Sequence, residues 1–386
     1  MVIQLTNLTL LITFLLPILP SRSWANTLSQ QGNIGESRFV HVGELQETGK
    51  GSFVMEKNSR EDAPILSFYP LSSQQPPQLL ARILSGHSAV AIAPDGQTLA
   101  GVTSNNEITL WNLPTGVPLR TITGHSLPIL SLAISPNGEF LASTGHDQQI
   151  KIWHMGTGEE ISTLVGHTKW VEAIAISPDG QTLVSAGGDK TIKVWSLEAT
   201  PLEHHSLIRT LTGHPDSIYS LAISPNGEIL ASGSWNLIKL WNLSTGKELR
   251  TLTSPTFGVN SLAFSRDGKT LISGNGDSTI DFWEVNTGRR LRTLNSHLAG
   301  VSSVVVSPDG QTLISGSLDN TIKIWNLNTG EELRSFPRQP SIIESIAVTP
   351  DGRTLASGGW GNIIKLWNLT TGQEIRTLWK VANEPV

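Results

Sequence analysis

Residues 166–195, GHTKWVEAIAISPDGQTLVSAGGDKTIKVW, are a passage that the chain repeats with small edits from about residue 79 to its end. The same frame closes on Trp111, Trp153, Trp195, Trp241, Trp283, Trp325 and Trp367, at steps of 42, 42, 46, 42, 42 and 42 residues. Self-similarity at a fixed period of this size marks a repeat architecture, in which each unit buries its apolar face only against its neighbours.

Inside the unit, VEAIAI (171–176) alternates and runs into Pro178-Asp179-Gly180, where proline pre-sets φ and glycine supplies a left-handed position. The stretch after it, residues 181–186, reads as a second strand; Gly187-Gly188-Asp189 turns the chain, and TIKVW (191–195) is a third strand of period two. In other copies a Thr-Gly turn such as Thr245-Gly246 leads to a fourth strand, as at 248–252. Four short antiparallel strands per period predict an all-β chain built as a β-propeller of four-stranded blades. Seven Trp frames give seven blades.

The Gly-His opening, the Ser-Gly-x-x-Asp turn and the strand-ending Trp resemble the WD40 repeat over roughly residues 79–379. In one respect every copy departs: the residue after Trp is Asn, His, Ser or Glu, never Asp. The resemblance implies that a histidine, a strand serine, the turn aspartate and the Trp indole form one hydrogen-bonded chain inside each blade. Carried over, the set is complete as His125, Ser143, Asp147 and Trp153; as His167, Ser185, Asp189 and Trp195; and as His297, Ser315, Asp319 and Trp325. By composition these sets mimic a catalytic triad. Their threefold recurrence and the donor that a buried Trp must satisfy favour a structural role. Elsewhere the polar partners erode: Pro255 and Gln339 stand at the His position of units five and seven, the Asp is missing from unit four, and Gly361 replaces it in unit seven.

The first unit is shorter, with Gly101 at the Ser position and Asn105 at the Asp position, as terminal repeats often are. Two segments compete to be the outer strand that closes the ring, residues 79–84 before the first unit and residues 374–379 at the end. That surplus leaves an eight-blade alternative, in which residues 38–42, 52–55, 65–69 and 79–84 make a degenerate N-terminal blade. Otherwise residues 26–78, rich in Gln, Ser and Pro, are a partly disordered extension with one marginal hairpin, and residues 79–386 are the propeller.

Residues 8–19, LTLLITFLLPIL, form an apolar run of signal-peptide length, shorter than the ~20 residues of a membrane-spanning helix. With Ser23 and Ala25 as small residues, residues 1–25 read as a signal peptide cut after Ala25, sending the protein to the periplasm or outside the cell without membrane integration. An uncleaved membrane anchor is the alternative, because residues 1–7 carry no Lys or Arg. The net charge is −5, and removal of Arg22 with the leader makes it −6. No Lys/Arg run stands out, which argues against nucleic acid as a partner. The absence of cysteine excludes disulfides, thiol catalysis and Cys-ligated metal.

Function is expected on the face where the loops into the innermost strand and those between strands two and three emerge. Amid near-copied text, non-repeating residues occupy these loops: Trp170, Glu172, Tyr219, Trp235 and Trp360 are the candidate contacts for a protein partner. The competing view has Trp235 and Trp360 filling space where the turn Asp is lost. HExxH, GxSxG, P-loop and GxGxxG motifs are all absent, and His204-His205, an isolated pair in a long loop, lacks the company of a metal site. The reading is therefore a monomeric, non-catalytic scaffold or recognition module for one or more proteins, with no cofactor and no metal. The alternatives are an exported propeller hydrolase or lyase, and a binder of carbohydrate or another small ligand through Trp170 and Trp235.

Overall fold

The computed structural model describes residues 42–44, 52–54, 89–103, 106–197, 206–254, 258–359, 361 and 363–378. Near the N-terminus, Val42–Glu44 pairs antiparallel with Ser52–Val54 as a separate two-stranded sheet. The leader, the segments 65–69 and 79–84, Pro255, His204-His205 and Trp360 lie outside the described residues.

From Val90 to Leu378 the chain folds into seven sheets of four antiparallel strands, with no helix among the described residues. The blades span residues 90–122, 129–165, 171–211, 220–253, 259–294, 301–335 and 343–378. Each is contiguous in sequence, so blade seven is completed by its own outer strand, Glu374–Leu378. That resolves the competition between the two closing strands in favour of the C-terminal one. The eight-blade alternative finds no eighth four-stranded sheet among the described residues.

The local code works as the sequence predicts. In the first hairpin turn of blade three, Gly180 sits at φ +75°, Ser177 Oγ hydrogen-bonds the Asp179 carboxylate, and Asp179 Oδ1 accepts the Gln181 N–H at 3.0 Å. The bonded hydroxyl holds the Asp179 carboxyl below its ordinary range. Five other blades repeat this turn with Ser135, Ser224, Ser265, Ser307 or Thr349 at its start.

Seven apolar clusters hold the ring, one at each joint between neighbouring blades. The joint between blades seven and one is made like the rest: Val90, Leu99 and Trp111 pack against Ala356, Ile364, Leu366 and Leu378. Polar staples reinforce it. The Val90 N–H donates to Ser345 Oγ at 3.2 Å, as the N–H groups of Val304 and Ile346 donate to Ser261 and Ser303 at later joints.

On the outer wall, an arginine of one blade donates to a carbonyl of the next blade's Thr-Gly turn. Arg209 reaches Ser244, Arg250 reaches Asn286, Arg292 reaches Asn328 and Arg334 reaches Thr371; Arg120 bonds Thr157, and Arg376 bonds Thr115 across the closure. This explains why the turn needs glycine twice over. Gly288 adopts φ +75°, and a Cβ there would lie 2.5 Å from Arg250 Cδ. Ser162 stands at the arginine position of the joint between blades two and three, and in sequence a longer stretch replaces the Thr-Gly turn of blade three.

Each blade also carries a bulge on its outer strand. In blade four, Trp241 pairs with Glu248 and Leu240 with Arg250, so Leu249 is the extra residue. Its counterparts are Leu119, Ile161, Ile208, Leu291, Leu333 and Ile375. A bulge twists an edge strand away from flat pairing, which protects seven otherwise open sheet edges.

Because every blade has its four strands without residues before Ser85, a chain beginning at Ser85 is expected to remain closed. Its thermal midpoint should lie within about 2 °C of the full chain, the shift of less than about 1 kcal/mol in a domain this large. Loss of a cooperative transition would show that the preceding residues complete the ring.

Candidate functional site

The three full polar sets form as the resemblance implies. In blade three the Trp195 indole N–H donates to Ser185 Oγ at 2.9 Å, Ser185 Oγ meets His167 Nε2 at 2.8 Å, and His167 Nδ1 meets Asp189 Oδ2 at 2.8 Å. Blades two and six repeat this: Trp153, Ser143, His125 and Asp147 at 2.8, 2.7 and 2.8 Å, and Trp325, Ser315, His297 and Asp319 at 2.8, 2.7 and 2.9 Å. With a neutral imidazole protonated at Nδ1, every donor points one way, from indole to carboxylate. Asp189 also accepts the Thr168 and Thr191 N–H groups.

Burial alone would raise the Asp189 carboxyl. The hydrogen bonds from His167 and Thr191 outweigh it and hold Asp189 well below the usual range. Asp147 and Asp319 are lowered in the same way. The serines are fully buried and already accept an indole N–H, so no substrate reaches them as nucleophiles.

In blade four the missing aspartate leaves a visible consequence. His214 Nε2 meets Ser232 Oγ at 2.7 Å, but the buried Nδ1 has no partner. Desolvation, with the nearby Lys239 charge, pushes the His214 pKa down to about 4. Blades five and seven retain only the indole–serine bond, Trp283 to Ser273 at 3.0 Å and Trp367 to Ser357 at 2.9 Å.

Blade five contains a substitution that sequence reading missed. Blades two, four, six and seven carry a Lys two residues before the Trp, paired with a Glu of the outer strand, as Lys239 pairs with Glu248 at 2.8 Å. Blade five reverses both signs: fully buried Asp281 faces Arg290 at 3.6 Å and accepts from Asn275 Nδ2 at 3.0 Å and from Thr293. Burial raises the Asp281 carboxyl above its ordinary value, against the pull of Thr293 and Arg290. The signal was the broken Lys frame, readable once the repeats are aligned.

On the loop face, the innermost strand of five blades begins with a bulge. In blade three Val171 pairs with Gly187 and Ala173 with Ala186, leaving Glu172 as the extra residue. Leu130, Asn260, Ser302 and Glu344 are its counterparts. Bulges re-aim side chains, so the non-repeating residues occupy positions that the ladder releases. Two of them staple joints: Asn260 Nδ2 donates to the Val301 carbonyl at 3.1 Å, and Ser302 Oγ bonds the Ile343 carbonyl.

Trp170 is half-buried and lies flat over Gly188, where a Cβ would approach its ring to 2.6 Å. Its ring is 6.2 Å from that of His146 on blade two, and Lys169 Nζ stands 6.0 Å above it. Trp170 therefore bridges blades two and three. On blade four, half-buried Tyr219 donates its N–H to the Gly233 carbonyl at 2.8 Å, two residues before half-buried Trp235. No group of three or more acidic or histidine side chains suited to a metal exists among the described residues. The described residues form no helix long and apolar enough to cross a membrane.

The family model for the WD domain, G-beta repeat, matches residues 116–154, 158–196, 205–242, 246–284, 288–326 and 330–368, together more than half of the chain. No curated protein matches it. Each matched segment ends on or just after a blade's Trp, and the first three strands of blade one stay outside, where Gly101 replaces the serine.

Two outcomes follow for the polar sets. Trp195→Ala is expected to cost about 3–5 kcal/mol and Asp189→Ala about 1–3, read from denaturant melts; equal losses would reverse the ranking. For His214 the folded pKa lies below the unfolded one, so its stability contribution is complete above about pH 6.5 and falls as pH drops toward 4. Relative to His214→Gln, the wild type should lose stability across that window, approaching about 3 kcal/mol at its acid end. A constant difference from pH 7 to pH 4 would contradict this assignment.

Proposed function

The chain belongs to the WD40 family, and from that premise we propose that it is a non-catalytic scaffold or recognition module that engages another protein through its loop face. One observation carries the reading. The residues that could do chemistry, Ser143, Ser185, Ser315 and their histidines, are consumed inside blades, whereas the residues that differ between repeats sit on inner-strand bulges and loops. An aromatic such as Trp170, held flat by Gly188 and flanked by His146 and Lys169, offers a large rigid surface at little conformational cost. Tyr219 and Trp235 extend that surface, Glu172 supplies its charge, and Trp360 is a separate candidate contact by sequence. The apolar segment 8–19 supports the reading of an exported protein that is cut after Ala25 and acts as a monomer.

Crosslinking and pull-down from fractionated cells, with wild type beside a Trp170→Ala/Trp235→Ala double variant of unchanged thermal midpoint, tests the surface. The variant is expected to lose its partner by at least about tenfold, the loss of one central aromatic contact. A partner held equally by both chains would move the contact elsewhere. Mass measurement of the purified protein tests export: an intact Met1 would assign the leader as an anchor.

A further inference from the structure

Trp170 is seated in a way that core packing does not require. A Cβ on Gly188 would lie 2.6, 2.7 and 2.8 Å from its Cε2, Cδ2 and Cζ2. Near-equal distances to three atoms of one ring mean that the glycine meets the ring face-on, and its missing side chain lets the indole lie flat. One face of the ring is therefore packed on backbone, yet Trp170 as a whole is only half-buried. The same loop position holds Pro128, Ser217, Gly258, Gly300 or Ile342 in other copies, so a Trp laid on a glycine there belongs to blade three alone.

The chain itself indicates what the outer face of that ring accepts. Lys169 Nζ stands 6.0 Å from the ring centroid, at the outer reach of a cation–π contact. Inside blades two, four and seven the same residue types form a locked trio. Lys151, Lys239 and Lys365 stand 5.8, 5.9 and 5.4 Å from the rings of Trp153, Trp241 and Trp367. Their ammonium groups pair with Glu160, Glu248 and Glu374 at 2.8, 2.8 and 2.7 Å. On the loop face the corresponding residues are Trp170, Lys169 and Glu172, but Lys169 is exposed and forms no ion pair among the described residues. A cation–π contact is weak where the cation keeps its water and stronger where it is desolvated, so a cation pressed onto the ring by a partner displaces Lys169. The inner-strand bulge residues Leu130, Glu172, Asn260, Ser302 and Glu344 include two carboxylates and neither Lys nor Arg, so none of them repels it.

We propose, on the reading of the loop face as a protein-binding surface, that Trp170 is a seat for a lysine or arginine side chain of the partner. The incoming cation stacks on the outer face of the indole and is balanced by the charge of Glu172. Lys169 keeps the seat in the free protein, and Gly188 sets its height.

NMR titration of the nitrogen-15-labelled full chain tests this at the Trp170 indole N–H, the signal that is missing from Trp170→Leu. Nα-acetyl-lysinamide and Nα-acetyl-argininamide supply the cation, and Nα-acetyl-norleucinamide supplies the lysine stem without it. Both cations are expected to shift the signal, and norleucinamide to bind at least about fivefold more weakly. Lys169→Ala should tighten the cations by about twofold to fivefold, the worth of the exposed contact they displace. Gly188→Ala, which lifts the ring, and Glu172→Gln should weaken them by a similar factor at an unchanged thermal midpoint. Equal binding of norleucinamide, or cations held no more tightly by Lys169→Ala than by wild type, overturns the cationic seat. So do cations that leave the Trp170 signal unshifted; if the Trp170→Ala/Trp235→Ala variant still loses its partner, the protein-binding surface stands without that seat.

Discussion

Every blade must bury a tryptophan without stranding its indole N–H. The ring supplies most of the stabilisation: removing ~150–250 Å² from water is worth roughly 4–6 kcal/mol at ~25 cal/mol/Å², whereas one net hydrogen bond contributes about 1 kcal/mol. Yet the donor needs an acceptor, and the neighbouring strand provides it. Ser143, Ser185, Ser232, Ser273, Ser315 and Ser357 each accept an indole N–H at 2.8–3.0 Å. Seen across the repeats, departures follow distance from this bond. All seven Trp persist, serine fails only at Gly101, histidine fails twice, and aspartate is lost or replaced in three units. Where aspartate goes first, as in blade four, histidine remains neutral and half-partnered rather than unfolding its blade.

Much of this was legible from the Trp frame and the turn triplets, because strand alternation and glycine placement are local rules. The blade count and the strand order within a blade follow from residues such as Gly180 and Trp195, and the three full polar sets from the resemblance to the WD40 repeat. What stayed hidden depends on relations between repeats or on one extra residue. Counting alternation cannot show that Glu172 is a bulge, since the strand pattern around it remains apolar. Nor does spacing say which terminal strand finishes the last sheet; Glu374–Leu378 does so because its register with Ile363–Asn368 is that of the other blades. The Arg-to-turn link joins residues 35–37 apart at most joints and crosses from one blade to the next. It was nonetheless readable as a correlation, because Ser162 replaces arginine next to the one altered turn.

The candidate surface divides in the same manner. Sequence picked Trp170 and Glu172 as what makes the third repeat individual, and the structure adds that Trp170 rests on Gly188 and reaches His146 of the preceding blade. In the proposed recognition surface a repeat therefore acts jointly with its neighbour, and the unit of that surface is the joint rather than the blade. Blade five makes the same point in the interior. Asp281 and Arg290 exchange the charges that Lys and Glu carry elsewhere, a double change whose halves would each bury an unpaired charge alone.

The joint between blades seven and one has the same apolar cluster, serine staple and arginine link as the internal joints. No strand crosses it. Geometrically the ring then has no privileged beginning: cutting any crossover and joining the old ends would give a circular permutant with the same seven sheets. The same property lets duplication act in whole cassettes, since a copied stretch of one period brings a finished blade with both of its joint surfaces.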